Sequence, residues 1–173
     1  MKFLIIIPAH NEEKNLPFTL DSLLQQSFKD FKVIVVNDGS TDRTSEVIKK
    51  YTDLDSRIQT INLQKSAHQP GSKVVAAFKE ALHTQDVDGF EIICKFDSDI
   101  ILSKDYLQMI ADSFAKNADY GLVGGLLYVE KNGEWVYEGN SNKKHVRGPM
   151  KAYRKECFLQ IGGLRETLGW DNI

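Results

Sequence analysis

The sequence predicts an α/β fold: a mostly parallel sheet wrapped by helices, with a mixed antiparallel part towards the C-terminus. Three observations predict it. Short apolar runs at residues 3–7, 31–36, 57–63 and 90–96 alternate with stretches whose apolar residues recur at helical spacing. Polar loops rich in turn residues follow the runs, at 8–13, 37–42 and 97–99. Beyond residue 120 the helices thin out and a hairpin signal, Lys131-Asn132-Gly133-Glu134, takes their place. A chain of 173 residues fits one domain, 1–173, with a real core.

Each element has its own reason. Residues 3–7 form a continuous apolar run stopped by Pro8, as suits a strand buried on both faces. Leu16, Leu20, Leu23 and Leu24 make the stripe of an amphipathic helix, and Pro17 is tolerable only in its first turn, so the helix begins near Asn15 or Leu16. Residues 31–36 are a second buried strand. Val47, Ile48 and Tyr51 mark a short helix over 44–51, and 57–63 a third strand. The polar stretch 64–72, with Pro70 and Gly71, reads as a loop before a helix carrying Val74, Phe78, Ala81 and Leu82. The fourth strand, 90–96, is interrupted only by Lys95. Ser103 is expected to cap the next helix, whose apolar face is Leu107, Ile110 and Phe114. A long strand is expected over 121–129, paired through the hairpin with 135–137, then a strand over 146–154 and a short helix over 156–161 ended by Gly162-Gly163.

Composition excludes several partners. Net charge is −2, without the broad basic field that drives nucleic-acid binding, so no nucleic acid is expected. Cys94 and Cys157 sit among apolar neighbours and read as small buried thiols of a reduced, cytoplasmic protein. The N-terminal apolar run is too short for a secretory core, and no stretch is long enough to span a bilayer.

Asp97-Ser98-Asp99 carries the chemistry. Two carboxylates two positions apart at a strand's exit point the same way if the chain is still extended, and together they suit a hard cation, Mg²⁺ or Mn²⁺, that takes its remaining ligands from a diphosphate. The spelling alone is weak, since about one Asp-x-Asp is expected by chance. Asp53-Leu54-Asp55 and Asp86-Val87-Asp88 are two further copies, but only Asp97-Ser98-Asp99 follows an apolar strand, where open α/β sheets bind ligands. A solvated turn pair accounts for the other two.

Taken in order, the loops resemble the inverting glycosyltransferases of family 2. The matching pieces are Ile7-Pro8-Ala9-His10-Asn11-Glu12, Val36-Asn37-Asp38-Gly39-Ser40-Thr41-Asp42, Gly71-Ser72-Lys73 with Ala76 and Ala77, Phe96-Asp97-Ser98-Asp99, and Gly162-Gly163-Leu164 followed by Gly169-Trp170-Asp171. The resemblance runs from residue 3 to 171 and implies a GT-A-type, Rossmann-like fold. It implies a nucleotide pocket lined by Pro8, Ala9, His10, Glu12, Asp38, Lys73, Asp97 and Ser98, a metal held by Asp97 and Asp99, and Asp171 as general base. The implied reaction moves a sugar from a nucleoside-diphosphate sugar to a saccharide or lipid-linked acceptor, with inversion and with Mn²⁺ or Mg²⁺. Residues 1–100 would then be the nucleotide half and 101–173 the metal and acceptor half. Asn37 departs from the family, which often has a second Asp there. Family members usually continue beyond the base, so a chain cut short after Asp171 is expected, with any peripheral attachment to the inner membrane face carried by a later segment.

Plainer readings compete at several positions. Asp38 can serve only its turn, Glu13 only a helix N-terminus, and Lys73 only solvation. Trp135 and Trp170 read as packing residues, and Lys143, Lys144, His145 and Arg147 as a solvated hairpin edge. The alternatives to a transferase are a non-catalytic nucleotide-sugar-binding fragment and a sugar nucleotidylyltransferase. A Gly-rich, Arg-bearing first loop would mark the latter, and Pro8-Ala9-His10-Asn11 stands there instead. A nicotinamide dehydrogenase would need Gly-x-Gly-x-x-Gly at the same place.

Overall fold

The computed structural model describes residues 1–64, 72–138 and 145–165. Strands β1 (Phe3–Ala9), β2 (Phe31–Asp38), β3 (Ile58–Leu63) and β4 (Ile92–Phe96) run parallel; β5 (Leu122–Val123), β6 (Tyr128–Lys131), β7 (Glu134–Tyr137) and β8 (Met150–Arg154) follow. Helices α1 (Leu16–Leu24), α2 (Thr44–Leu54), α3 (Ser72–His83), α4 (Tyr106–Lys116) and α5 (Lys155–Gln160) connect or follow them. The main sheet has the order β3-β2-β1-β4-β8-β5, with β8 antiparallel to both neighbours. This is the expected fold class, a mostly parallel sheet with a mixed C-terminal edge.

Two apolar layers explain why β1 is apolar without a break. Phe3, Ile5, Ile7 and Ala9 pack with residues of α1, α2 and α4, while Leu4 and Ile6 pack with Val75, Phe78 and Ala81 of α3 and Phe158 of α5. The same alternation runs through β4: Ile92, Cys94 and Phe96 face the first layer and Ile93 the second. Lys95 therefore shares Ile93's side of the sheet.

Several expected boundaries shift. β2 continues to Asp38, because its pairing with β3 persists through Asp38 opposite Leu63. Asp38 is thus the last residue of a strand rather than part of the turn. Ser103 does not cap α4 through its side chain; Asp105 is the N-cap, and Ser103 contributes its carbonyl to Tyr106 N–H and to Gln26 Nε2.

The expected long strand over 121–129 is broken at Gly124 and Gly125. A Cβ on Gly124 would sit 2.4 Å from Val146 Cγ1 and 2.7 Å from the Met150 carbonyl, and one on Gly125 2.8 Å from the Tyr106 ring. Backbone is packed against backbone and ring there, and the Gly125 N–H donates to the Tyr106 hydroxyl at 3.2 Å. The chain then leaves the sheet to form the separate β6–β7 ribbon, turned by Asn132 and Gly133 with φ of 54° and 82°. β8 correspondingly starts at Met150 rather than 146. Trp135 on this ribbon is 63% exposed, so it is not the packing residue expected. Cys94 is buried as expected, whereas Cys157 on α5 is only half-buried and lines a cleft with Tyr153 and Leu164.

Candidate functional site

The carboxyl ends of β2, β1 and β4 lie side by side, and the loops leaving them hold most of the sequence-predicted residues. The first two loops are stitched together. Asn11 takes a left-handed backbone with φ of 58°, which its short polar side chain tolerates. Its Oδ1 accepts from Thr41 N–H at 2.8 Å and lies 3.4 Å from Asp42 N, and its own N–H donates to Ser40 Oγ at 3.1 Å. Glu12 N–H donates to Thr44 Oγ1 at 2.8 Å, and Glu13 N–H to Asp42 Oδ2 at 3.1 Å. The Glu13 carboxylate accepts from Arg43 N–H at 2.9 Å. Arg43 is the N-cap of α2, so Glu13 does serve a helix N-terminus, but that of the neighbouring helix. Asp42 is half-buried. Burial pushes its carboxyl up, yet hydrogen bonds from Thr44 and the Glu13 N–H outweigh that and hold it below the ordinary aspartate value. Asn11, Asp42 and Thr44 were not singled out in the sequence; Asn11's αL-tolerant type next to a strand end was the available signal.

Asp38 is buried at the strand end. His10 Nδ1 bonds the Asp38 carbonyl at 2.6 Å, and Lys73 Nζ at the start of α3 lies 3.8 Å from Asp38 Oδ2. Lys73 is thus turned towards the site rather than solvated alone. A cleft of about 270 Å³ opens there, lined by Asp38, Leu63, Lys73, Ala77 and Glu80 among others. Asp38 and Lys73 bring one negative and one positive group to a partly apolar slot, chemistry that suits the edge and face of a heterocyclic base. Asn37 behaves differently. It is buried, and its Nδ2 donates to Ser45 Oγ at 2.9 Å and Asn62 Oδ1 at 3.0 Å, while its Oδ1 accepts from Ser40 N–H at 3.2 Å. Its carboxamide is committed to the protein, and an ionised carboxylate there could not donate these bonds.

Pro8 is half-buried, His10 exposed and Glu12 half-buried with Oε2 accepting from Asn15 Nδ2 at 3.0 Å. Ala9 points its methyl into the core, so only its backbone faces the loop cluster.

At β4, Asp99 is exposed, Ser98 is buried with its carbonyl accepting from Thr19 Oγ1 at 2.8 Å, and Asp97 lies between, 34% exposed at its side chain. Asp97 N–H donates to the Pro149 carbonyl at 2.9 Å, extending the β4–β8 ladder by one step. Its Oδ1 is ion-paired with Lys95 Nζ. The oxygen donors of Asp97 and Asp99 fit a hard divalent cation that completes its shell with diphosphate and water. Among the described residues no group of three or more His, Cys, Asp or Glu gathers. The other Asp-x-Asp copies sit elsewhere: Asp53 pairs with Lys49 on α2, and Asp86 caps a 3₁₀ turn through Asp88 N–H.

Arg147 pairs with Glu138 at 3.1 Å and is half-buried, so it is no solvated edge charge. Asp171, Trp170, Gly169, Gly71, Lys143 and Lys144 lie outside the described residues. Among described residues no helix is long and apolar enough to cross a membrane.

Comparison with known proteins adds the following. The model of the family described as Glycosyl transferase family 2 matches residues 4–165. The poly(ribitol-phosphate) beta-N-acetylglucosaminyltransferase TarS of Staphylococcus aureus is 34% identical over 110 residues, 62% of this chain and 18% of TarS. The O-antigen biosynthesis glycosyltransferase WbnJ of Escherichia coli is 27% identical over 165 residues, 89% of this chain and 57% of WbnJ. The crystal structure of TarS 1–349 in complex with UDP superposes with a TM-score of 0.72 at 26% identity, covering 99% of this chain and 53% of that one. A mannosyltransferase from Pyrobaculum calidifontis in complex with GDP-Man and Mn²⁺ has a TM-score of 0.75 at 19% identity, covers 98% of this chain and 49% of that one, and shares the fold. This chain therefore spans less than two thirds of the length of these relatives.

Proposed function

The chain belongs to glycosyl transferase family 2, and on that premise we propose that it moves a sugar from a nucleoside-diphosphate sugar to an acceptor hydroxyl with inversion at the anomeric carbon. The observation that supports the reading is the approach of Lys73 to Asp38, 3.8 Å apart where β2 ends and α3 begins, with Asp97 and Asp99 following β4 at the carboxyl edge of the same parallel sheet, where an open α/β sheet binds its ligand. TarS 1–349, which superposes over nearly the whole chain, forms a complex with UDP, and this supports a nucleotide-sugar donor.

The roles follow from chemistry. Asp38 accepts a hydrogen bond from the base, with Lys73, Ala77 and Leu63 shaping the slot. Pro8, Ala9, His10 and Glu12 form the rim that orients the nucleotide. Asp97 and Ser98 would meet the ribose, and Asp97 with Asp99 would hold the metal. Mn²⁺ or Mg²⁺, when bound, supplies charge neutralisation to the diphosphate leaving group. Asp171 removes the acceptor proton. The acceptor is a saccharide or a lipid-linked acceptor, and the work is done in the cytoplasm or at the inner membrane face.

The testing experiment is calorimetry of UDP, GDP and dTDP, each with Mn²⁺ and with chelator, joined to a search for hydrolysis or transfer of the matching sugar nucleotides. Tight binding of one nucleotide only with the cation, with sugar release, is the expected result. Absence of binding by all three would overturn the reading, and binding without any turnover would leave a nucleotide-sugar-binding module.

A further inference from the structure

Lys95 and Lys151 face one another across the β4–β8 ladder, and both are buried, at 1% and 2% exposure. Like charges directly opposite weaken a strand pair, and taking each ammonium out of water costs several kcal/mol. One pair further from the site on the same face, Ile93 stands opposite Tyr153, an apolar solution the fold could have repeated. A local rule broken in the middle of a well-packed sheet is expected where a site requires it.

The contacts of Lys95 indicate the requirement. Its Nζ is ion-paired with Asp97 Oδ1 and lies 3.5 Å from the Gly148 carbonyl. Asp97 is tied through its backbone too, N–H to the Pro149 carbonyl. Both ties run to the segment entering β8, so β8 and Lys95 together fix where the Asp97 carboxylate stands. Oδ1 takes the ion pair, and the side chain keeps a one-third exposed surface.

We infer that Lys95 is a positioning residue for the donor site: it holds Asp97 by one oxygen so that the other is presented, in a single orientation, to the ribose or cation of a nucleoside diphosphate. The inference rests on the donor reading of the site given above. A carboxylate without this partner samples several rotamers, and ordering it then counts against binding. Partners of this outer kind typically carry a 10- to 100-fold effect on the affinity of the site they orient.

The test is a double-mutant cycle on UDP affinity with Mn²⁺, read by calorimetry, using Lys95→Met, Asp97→Asn and the pair, with melting temperatures recorded without ligand. Lys95→Met is expected to weaken binding about 10- to 100-fold, and to add nothing once Asp97→Asn is in place. The same Lys95→Met combined with Asp38→Ala should multiply the two losses, since these residues act independently. Should Lys95→Met not fold, Lys95→Gln, which keeps a donor without the charge, enters the same cycle. Unchanged UDP affinity in a folded Lys95 variant would overturn the inference and leave Lys95 a purely structural cation, as would losses that multiply with Asp97→Asn. Failure of the unsubstituted protein to bind UDP or GDP with Mn²⁺ would instead bring down the donor reading itself, and the inference with it.

Discussion

Asp99→Asn separates a metal site from a merely acidic strand end. Asp99 is exposed and Asp97 is paired with Lys95, so Asp99 is the carboxylate most free to take a cation. The substitution is expected to abolish the gain in nucleotide affinity that Mn²⁺ gives, while Asp53→Asn and Asp86→Asn change nothing; calorimetry with metal and with chelator measures both. Asp38→Ala should weaken nucleotide binding by about 1–3 kcal/mol, the usual effect of losing a buried hydrogen-bond partner, and parent-like binding of UDP, GDP and dTDP would put the base elsewhere. The place of both aspartates near the end of a strand is legible in the sequence, because an apolar run stops just before each. In the sequence Lys95 reads only as an interruption of an apolar strand, and Lys151 carries no signal at all. Their meaning lies in the β4–β8 register, a long-range pairing that no local pattern encodes.

At the scale of elements, the first two loops form one unit through Asn11, Glu13, Asp42 and Thr44. Asp42 and Asp55 both have carboxyls held below the ordinary aspartate value, Asp42 by its hydrogen bonds against the pull of burial and Asp55 chiefly by Arg57. A depressed folded value means that each contributes stability above the ordinary value near 3.8, and that this contribution is lost as pH falls through the lower folded value. Thermal melting between pH 6 and pH 2 should therefore show an acid limb below about pH 4 that is shallower in Asp42→Asn; an identical limb would mean the staple carries no such linkage. Gly124→Ala tests another element, the break between β5 and β6. Its new methyl would meet the Met150 carbonyl as well as Val146, and a cost of about 1–3 kcal/mol in denaturant unfolding is expected from such overpacking. The break itself was invisible in the sequence, where 121–129 reads as one strand. Gly125 makes room for Tyr106, nineteen residues earlier in the chain, and Gly124 for Val146 and the Met150 carbonyl.

For the molecule as a whole, the proposed transfer requires the acceptor to come from the side of the donor sugar away from the diphosphate. Direct displacement with inversion needs the base on the face opposite the diphosphate. The C-terminal segment after Gly162 and Gly163, whose φ values of 76° and 78° turn the chain sharply, is the segment the family resemblance assigns to that task. Asp171→Asn keeps the shape of the side chain and removes its basicity. In a form of the protein that transfers sugar, turnover should fall roughly 10²- to 10⁴-fold, the usual worth of a general base, with donor affinity little changed. Asp97→Asn and Asp99→Asn should instead damage affinity and turnover together. Donor affinity and single-turnover transfer measured on the same Asp171→Asn protein distinguish the cases: near-normal turnover assigns the base elsewhere, and a lost donor affinity makes Asp171 a binding residue.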